Sequence, residues 1–161
     1  MKMIKLITAM SIISLFACKT GEPIPSFTYQ TIEGKTLSNE DLKGKATILV
    51  VWATWCGDCI REIPELNELV SKYEANENVV FIAFSDEDEQ TVNKSLARFP
   101  FSFQHIINSK AYSDKLKSGL VKHFPQVMVL NKDTEIVFEV TENKKPIFQI
   151  LDNHIQDILS N

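Results

Sequence analysis

The sequence predicts an α/β domain with a central mixed β-sheet flanked by helices, and three observations carry that expectation. Two runs, ATILVVWAT (46–54) and VVFIAF (79–84), are nearly unbroken apolar and β-branched, as in strands covered on both faces. Between them Ile60, Ile63, Leu66, Leu69, Val70 and Tyr73 recur at helical spacing. Nearer the C-terminus QVMVL (126–130) and EIVFEV (135–140) are joined by the polar NKDT, the pattern of an antiparallel hairpin without a turn glycine. Strand, helix, strand, helix, strand, hairpin, helix is the order of a mixed sheet with helical layers.

At 161 residues, 44% hydrophobic and 24% charged, the chain can bury one real core, and it shows neither a repeat period nor a low-complexity linker. The first residues stand apart from that domain. MKMIK is a basic head and LITAMSIISLFA (6–17) is an apolar run of secretory-signal length, too short to span a bilayer comfortably. It ends in LFAC (15–18), which resembles a bacterial lipoprotein signal with Cys18 as the lipid anchor and first mature residue, although Phe16 is bulkier than that pattern favours. The expected organisation is a signal at 1–17, a tether at 18–25 and a domain at 26–161. Removing the signal leaves 15 Lys+Arg against 21 Asp+Glu, a net charge of −6, which gives no footing for nucleic acid or an anionic membrane surface.

The tether is expected to be extended because it holds Pro23 and Pro25. Phe27, Tyr29 and Leu37 then flank a turn at Gly34, giving a small N-terminal hairpin extension. Ser38 and Asp41 read as the cap of a single helical turn closed by Gly44. The helix after the first strand should run about four turns with Pro64 inside it as a kink. Ser85 is expected to cap a further helix whose acidic first turn is DEDE (86–89). FSFQHIIN (101–108) reads as a third strand, and Tyr112, Leu116 and Leu120 as one face of a short helix. Pro146 opens a last helix with Ile147, Ile150, Leu151, Ile155, Ile158 and Leu159 on a broad apolar face.

Chemistry concentrates in WATWCGDCIRE (52–62), which holds Cys56 and Cys59. A strand running straight into a helix delivers Cys56 to the carboxyl edge of the sheet, where open α/β folds place their sites. At a helix start the unpaired N–H groups and positive dipole end favour a thiolate, lowering a thiol pKa from about 8.5 toward 7 or below. Cys59 lies one turn along the same face, at a spacing compatible with a disulfide. Cys56 then reads as attacker and Cys59 as the less exposed resolver. A zinc site would need further ligands that His105, His123 and His154 do not offer at the right spacing. A purely structural bridge closing so small a loop would contribute little.

The stretch GKATILVVWATWCGDCIREIPEL (44–66) is similar to the active-site strand and helix of the thioredoxin superfamily, and most of all to its exported TlpA/ResA type. The likeness extends to PSFTYQTIEGKTLSNEDLKGK (25–45) and HFPQVMVLNKDTEIV (123–137), most of the chain from Pro25 onward. It implies a thioredoxin-like fold and thiol-disulfide oxidoreductase activity. Under it Cys56 is the attacking cysteine, Cys59 the resolving one, Trp55 the aromatic beside them and Pro64 the helix-kinking proline. Pro125 is the cis proline facing the disulfide, and Phe124 beside it takes a substrate-facing role. By itself Pro125 would read as an edge-strand or strand-start proline. Glu62, one turn beyond Cys59, matches the glutamate of the TlpA/ResA type and is placed to move a proton for Cys59. Its alternative is a solvated helix glutamate. The buried aspartate of ordinary thioredoxin has its counterpart at Val50, six residues before Cys56.

Gly57 and Asp58 separate the cysteines, where many relatives carry proline. If Asp58 lies about 6–7 Å from the Cys56 thiolate at an effective dielectric near 40, repulsion is roughly 1.3 kcal/mol, about one pK unit toward a reductant. His123, two residues before Pro125, is a candidate to perturb the dithiol, and His154 reads as a partly buried helix residue. The resemblance implies no metal or organic cofactor beyond the redox-active Cys56–Cys59 pair. It also implies disulfide-bonded protein substrates, and a membrane thiol reductase as electron donor. Two rivals stay open: a peroxiredoxin-like peroxidase, against which VVWATWC lacks the PxxxTxxC proline, and a non-enzymatic module using the pair as a copper(I) ligand.

Overall fold

The computed structural model describes residues 21–116, 124–140 and 146–161. The expected signal, Cys18, Leu120 and His123 therefore lie outside the described residues. Among the described residues, eight strands and five helices follow in order: β1 Glu22–Pro23, β2 Thr28–Gln30, β3 Thr36–Ser38, α1 Asn39–Leu42, β4 Ala46–Trp52, α2 Gly57–Tyr73, β5 Val79–Ser85, α3 Glu89–Leu96, β6 Gln104–Ile106, α4 Lys110–Leu116, β7 Gln126–Leu130, β8 Glu135–Val140 and α5 Ile147–Ser160. Six strands form one sheet in the order β1-β8-β7-β4-β5-β6, and β2 and β3 form a separate ribbon. The pairs β4–β5 and β5–β6 are parallel, whereas β7 runs antiparallel to β4, β8 to β7 and β1 to β8. This is the mixed central sheet flanked by helices that the apolar runs predict, arranged as a thioredoxin-like fold.

The apolar runs become the central strands because every residue of β4, β5 and β7 is buried. Alternation divides their side chains between two cores. Ile48, Val50 and Trp52 pack with Cys59, Ile63, Leu66 and Leu69 of α2, Val92 of α3, and Ile147, Leu151 and Ile155 of α5. Leu49 and Val51 pack on the opposite side with Ile24, Phe27, Leu37, Leu42, Tyr112 and Leu116. The N-terminal hairpin is seated there by Phe27, Tyr29, Phe84 and Tyr112, whose ring centroids lie 4.9–6.4 Å apart. It also covers the edge of β6: Ile32 N–H donates to the His105 carbonyl at 2.9 Å, so that edge is closed to further pairing.

The segment expected as a tether is extended, as its prolines require, and part of it joins the sheet. Glu22 and Pro23 pair with Ile136 and Glu135, Ile24 is buried, and the Tyr112 hydroxyl donates to the Pro25 carbonyl at 3.0 Å. Gly21 makes this approach possible, because a Cβ there would meet the Ile136 carbonyl oxygen at 2.5 Å. The capped turn is also present: the Asp41 carboxylate accepts from the Ser38 N–H and hydroxyl at 2.8 and 2.7 Å, and Gly44 follows at φ +77°. The β7–β8 turn dispenses with glycine by placing Thr134 at φ +64°. The Asn131 side chain braces that turn by accepting from the Asp133 and Glu135 N–H groups.

The acidic run departs from expectation. Ser85 is the last residue of β5 rather than a helix cap, and α3 starts three residues later than the run suggests. Asp88 is the N-cap, its carboxylate accepting from the Thr91 N–H at 2.8 Å. Hydrogen bonding from Thr91, with a smaller part from the Gln90 N–H, holds the Asp88 carboxyl below its ordinary value. Glu87 is left between strand and helix and turns toward the loop after β4.

At the far end of α2, Asp152 of α5 is 3% exposed yet fully surrounded by donors. It accepts from Lys72 Nζ at 2.6 and 2.7 Å, from the Tyr73 hydroxyl at 2.8 Å and from Gln156 at 2.8 Å. Burial, with the neighbouring carboxylate adding to it, pushes the Tyr73 hydroxyl up to about 12.

Candidate active site

β4 ends at Trp52, and four residues later Cys56 becomes the N-cap of α2. The intervening turn is closed by the Cys56 N–H donating to the Ala53 carbonyl at 3.1 Å. Cys56 and Cys59 form a disulfide with Cα atoms 5.3 Å apart. Both cysteines are buried, at 5% and 3% exposure, so the expected contrast between attacker and resolver is small in the oxidised form. The Cys59 N–H donates to Cys56 Sγ at 3.1 Å. One of the unpaired N–H groups of the helix start is thus aimed at the sulfur that would carry negative charge after reduction.

Trp55 is 71% exposed directly before Cys56, the most exposed large apolar side chain among the described residues. Its ring meets that of Phe124 edge-on at 5.4 Å. The Phe124–Pro125 bond is cis, and Pro125 is buried. The register explains why these distant segments meet: Val51 pairs with Gln126, so antiparallel continuation sets Phe124 and Pro125 alongside the residues leaving β4. The structure therefore brings Trp55, Cys56, Phe124 and Pro125 to one edge of the sheet. Glu62 lies one turn beyond Cys59 on α2 and is 2% exposed. That disposes of the solvated-glutamate alternative. Pro64 falls inside α2, and Val50 is fully buried.

Gly57 is exposed, and Asp58 pairs with Arg61 one turn on, with the two side chains 45% and 60% exposed. The guanidinium thus faces the same carboxylate that was expected to repel the Cys56 thiolate, and it opposes that repulsion. Among the described residues no group of three His, Cys, Asp or Glu side chains is placed to hold a metal ion. His105 is remote from the dithiol sulfurs in sequence and serves the core, its Nε2 meeting the Phe101 carbonyl at 2.9 Å. His154 stacks on Phe138 with centroids 4.1 Å apart and is half-buried.

Two features escaped the sequence. Arg61 drew no reading from the sequence, although its i, i+3 spacing from Asp58 was a usable signal. Glu87 read as part of a solvated helix start, but its carboxylate accepts from the Thr54 N–H at 2.7 Å and the Thr54 hydroxyl at 2.6 Å. No local signal joins residues 33 apart; only the parallel register, with Trp52 opposite Ser85, places 87 beside 54.

The chain is 28% identical over 120 residues to thiol-disulfide oxidoreductase ResA of Bacillus thuringiensis subsp. konkukian, covering 74% of this chain and 68% of ResA. It is 29% identical over 136 residues to the thioredoxin-like protein YneN of Bacillus subtilis, covering 82% and 78%. A crystal structure of a thiol:disulfide interchange protein of the thioredoxin family from Chlorobium tepidum superposes with a TM-score of 0.73. That match covers 86% of this chain and 97% of the other at 22% identity, a likeness of fold. Residues 19–155 match the Redoxin family. With that match spanning most of its length, and with a thioredoxin-like sheet carrying a Cys56–Cys59 disulfide at its carboxyl edge, the chain belongs to the Redoxin family.

Proposed function

We propose that the protein is an exported thiol-disulfide oxidoreductase that works as a reductase of protein disulfides, anchored by a lipid on Cys18. The observation that carries this reading is the Cys56–Cys59 disulfide at the start of α2, with the Cys59 N–H on Cys56 Sγ. In the reduced enzyme the Cys56 thiolate attacks one sulfur of a substrate disulfide. A mixed disulfide forms and one substrate thiolate leaves. Cys59 passes its proton to the Glu62 carboxylate and attacks Cys56 Sγ, releasing the second substrate thiolate, which takes up a proton. The substrate has gained two electrons and the pair is oxidised, so a membrane thiol reductase must recharge it.

Trp55 and Phe124 offer an apolar edge to the polypeptide carrying the disulfide, Pro125 shapes the groove beside it, and Gly57 and Asp58 tune the couple. Residues 1–17 act as the export signal. Because Glu22 already belongs to the sheet, a lipid on Cys18 would hold the domain within about 14 Å of chain from the membrane. Among the described residues no helix is long and apolar enough to cross a membrane.

The deciding measurement is the reduction potential of the Cys56/Cys59 couple against defined thiol buffers. A value near or below about −230 mV supports a reductase kept reduced by a donor. A value above about −150 mV would instead mean a disulfide donor, and a pair that never bridges reversibly would overturn the enzyme reading.

A further inference from the structure

We propose that Glu87 is a positioning residue for the reactive dithiol, holding the Thr54–Cys56 turn in the geometry that a polypeptide substrate meets. This rests on the oxidoreductase reading above. Where β4 ends, the Thr54 N–H has left the sheet ladder and needs an acceptor. Glu87 supplies it. One carboxylate oxygen accepts from the Thr54 N–H at 2.7 Å and the Ser85 hydroxyl at 3.2 Å, and the other accepts from the Thr54 hydroxyl at 2.6 Å.

The support behind Glu87 is itself fixed. Its N–H donates to Ser85 Oγ at 3.2 Å, and its carbonyl accepts from the Asn108 N–H at 3.0 Å. The Ser85 carbonyl accepts from both the N–H and the hydroxyl of Ser109, at 3.0 and 2.8 Å, and both serines are buried. Thr54 is thereby tied to the loop before α4. Two residues on, the Cys56 N–H closes the turn on the Ala53 carbonyl, and Trp55 stands between these two fixed points with its ring exposed against Phe124. Without the clamp, Trp55 and the approach to Cys56 would be free to wander while the disulfide itself stayed intact. The loss should therefore fall on docking of a folded or extended polypeptide, and a small disulfide should scarcely notice it.

The charge and the hydrogen bonds can be separated. A glutamine side chain in place of Glu87 can accept from the Thr54 N–H and Ser85 hydroxyl through its oxygen and donate to Thr54 Oγ through its nitrogen, so Glu87→Gln keeps the clamp and removes the charge. Glu87→Ala removes both. The experiment uses the full-length chain, pre-reduced and freed of reductant, in single turnover with excess insulin as protein disulfide and oxidised glutathione as small disulfide. The expected result for Glu87→Ala is a half-saturating insulin concentration raised about fivefold to tenfold, with the limiting rate and the glutathione rate within about twofold of wild type. Glu87→Gln should restore half-saturation to within about twofold. The proposal is overturned if Glu87→Ala matches wild type, if Glu87→Gln is as impaired as Glu87→Ala, or if both substrates slow equally. A wild-type chain that reduces neither substrate would instead remove the oxidoreductase reading.

Discussion

Replacing Asp152 by Asn tests whether the α2–α5 contact depends on a buried charge. The carboxylate is 3% exposed and takes four hydrogen bonds from Lys72, Tyr73 and Gln156. Hydrogen bonds to a charged group contribute about 1.5–3 kcal/mol each, but the Lys72 side chain is 40% exposed, so its share is screened. Asn keeps the shape and one acceptor oxygen, which limits the expected loss to about 2–3 kcal/mol. A domain of this size has an unfolding entropy of about 0.3 kcal/mol per degree, so Tm should fall by about 7–10 °C.

The pH dependence of that difference follows from the carboxyl. Burial alone would raise it, yet the bonds from Lys72, Tyr73 and Gln156 together hold it below 3.8. Its stabilisation is therefore fully present above pH 3.8 and lost as pH falls below that through the folded value. Urea midpoints of wild type and Asp152→Asn should differ at about pH 7, and the gap should narrow as pH falls below 3.8. Sixteen helical steps, about 24 Å, separate Lys72 from Cys56, so disulfide reduction by the folded variant should stay unchanged. Equal midpoints at neutral pH, or a gap that persists undiminished in acid, would refute the assignment.

Two other perturbations address the site and the core. Glu62→Gln, isosteric at a 2% exposed position, should slow disulfide reduction by about 10² while leaving alkylation of reduced Cys56 at its wild-type rate, as read by stopped-flow and mass spectrometry. Burial holds His105 below its ordinary 6.5 against the opposing effects of the Phe101 carbonyl and Glu33. The unfolded chain thus takes up a proton that the fold refuses, and stability should decline as pH falls below 6.5, a slope that His105→Gln should flatten in urea titrations.

Composition and local pattern determined much of this protein by themselves. Short, β-branched apolar runs fit strands buried on both faces, so 46–52 and 79–84 were legible as central strands and 126–130 as one arm of a hairpin. Helical spacing through Tyr73 with Cys56 at its start was likewise enough to place a dithiol at a helix N-terminus. The hairpin, the Ser38–Asp41 cap and the last helix also follow from neighbours in sequence.

Tertiary structure decided whatever depends on which strands lie side by side. The antiparallel β4–β7 register brings Phe124 onto Trp55, and the parallel β4–β5 register brings Glu87 onto Thr54. Pairing with β8 draws Glu22 and Pro23 from tether into sheet. Burial of Asp152, a plain helix acid in the sequence, and of Glu62, for which the sequence left a solvated alternative open, likewise emerges only once the helices pack on the sheet. For the strand-borne contacts the physical reason is that backbone hydrogen bonding between strands carries no side-chain label, so the partners it brings together cannot be read from residues that lie tens of positions apart; for the buried acids it is that a helix acid carries no mark of the element that will cover it.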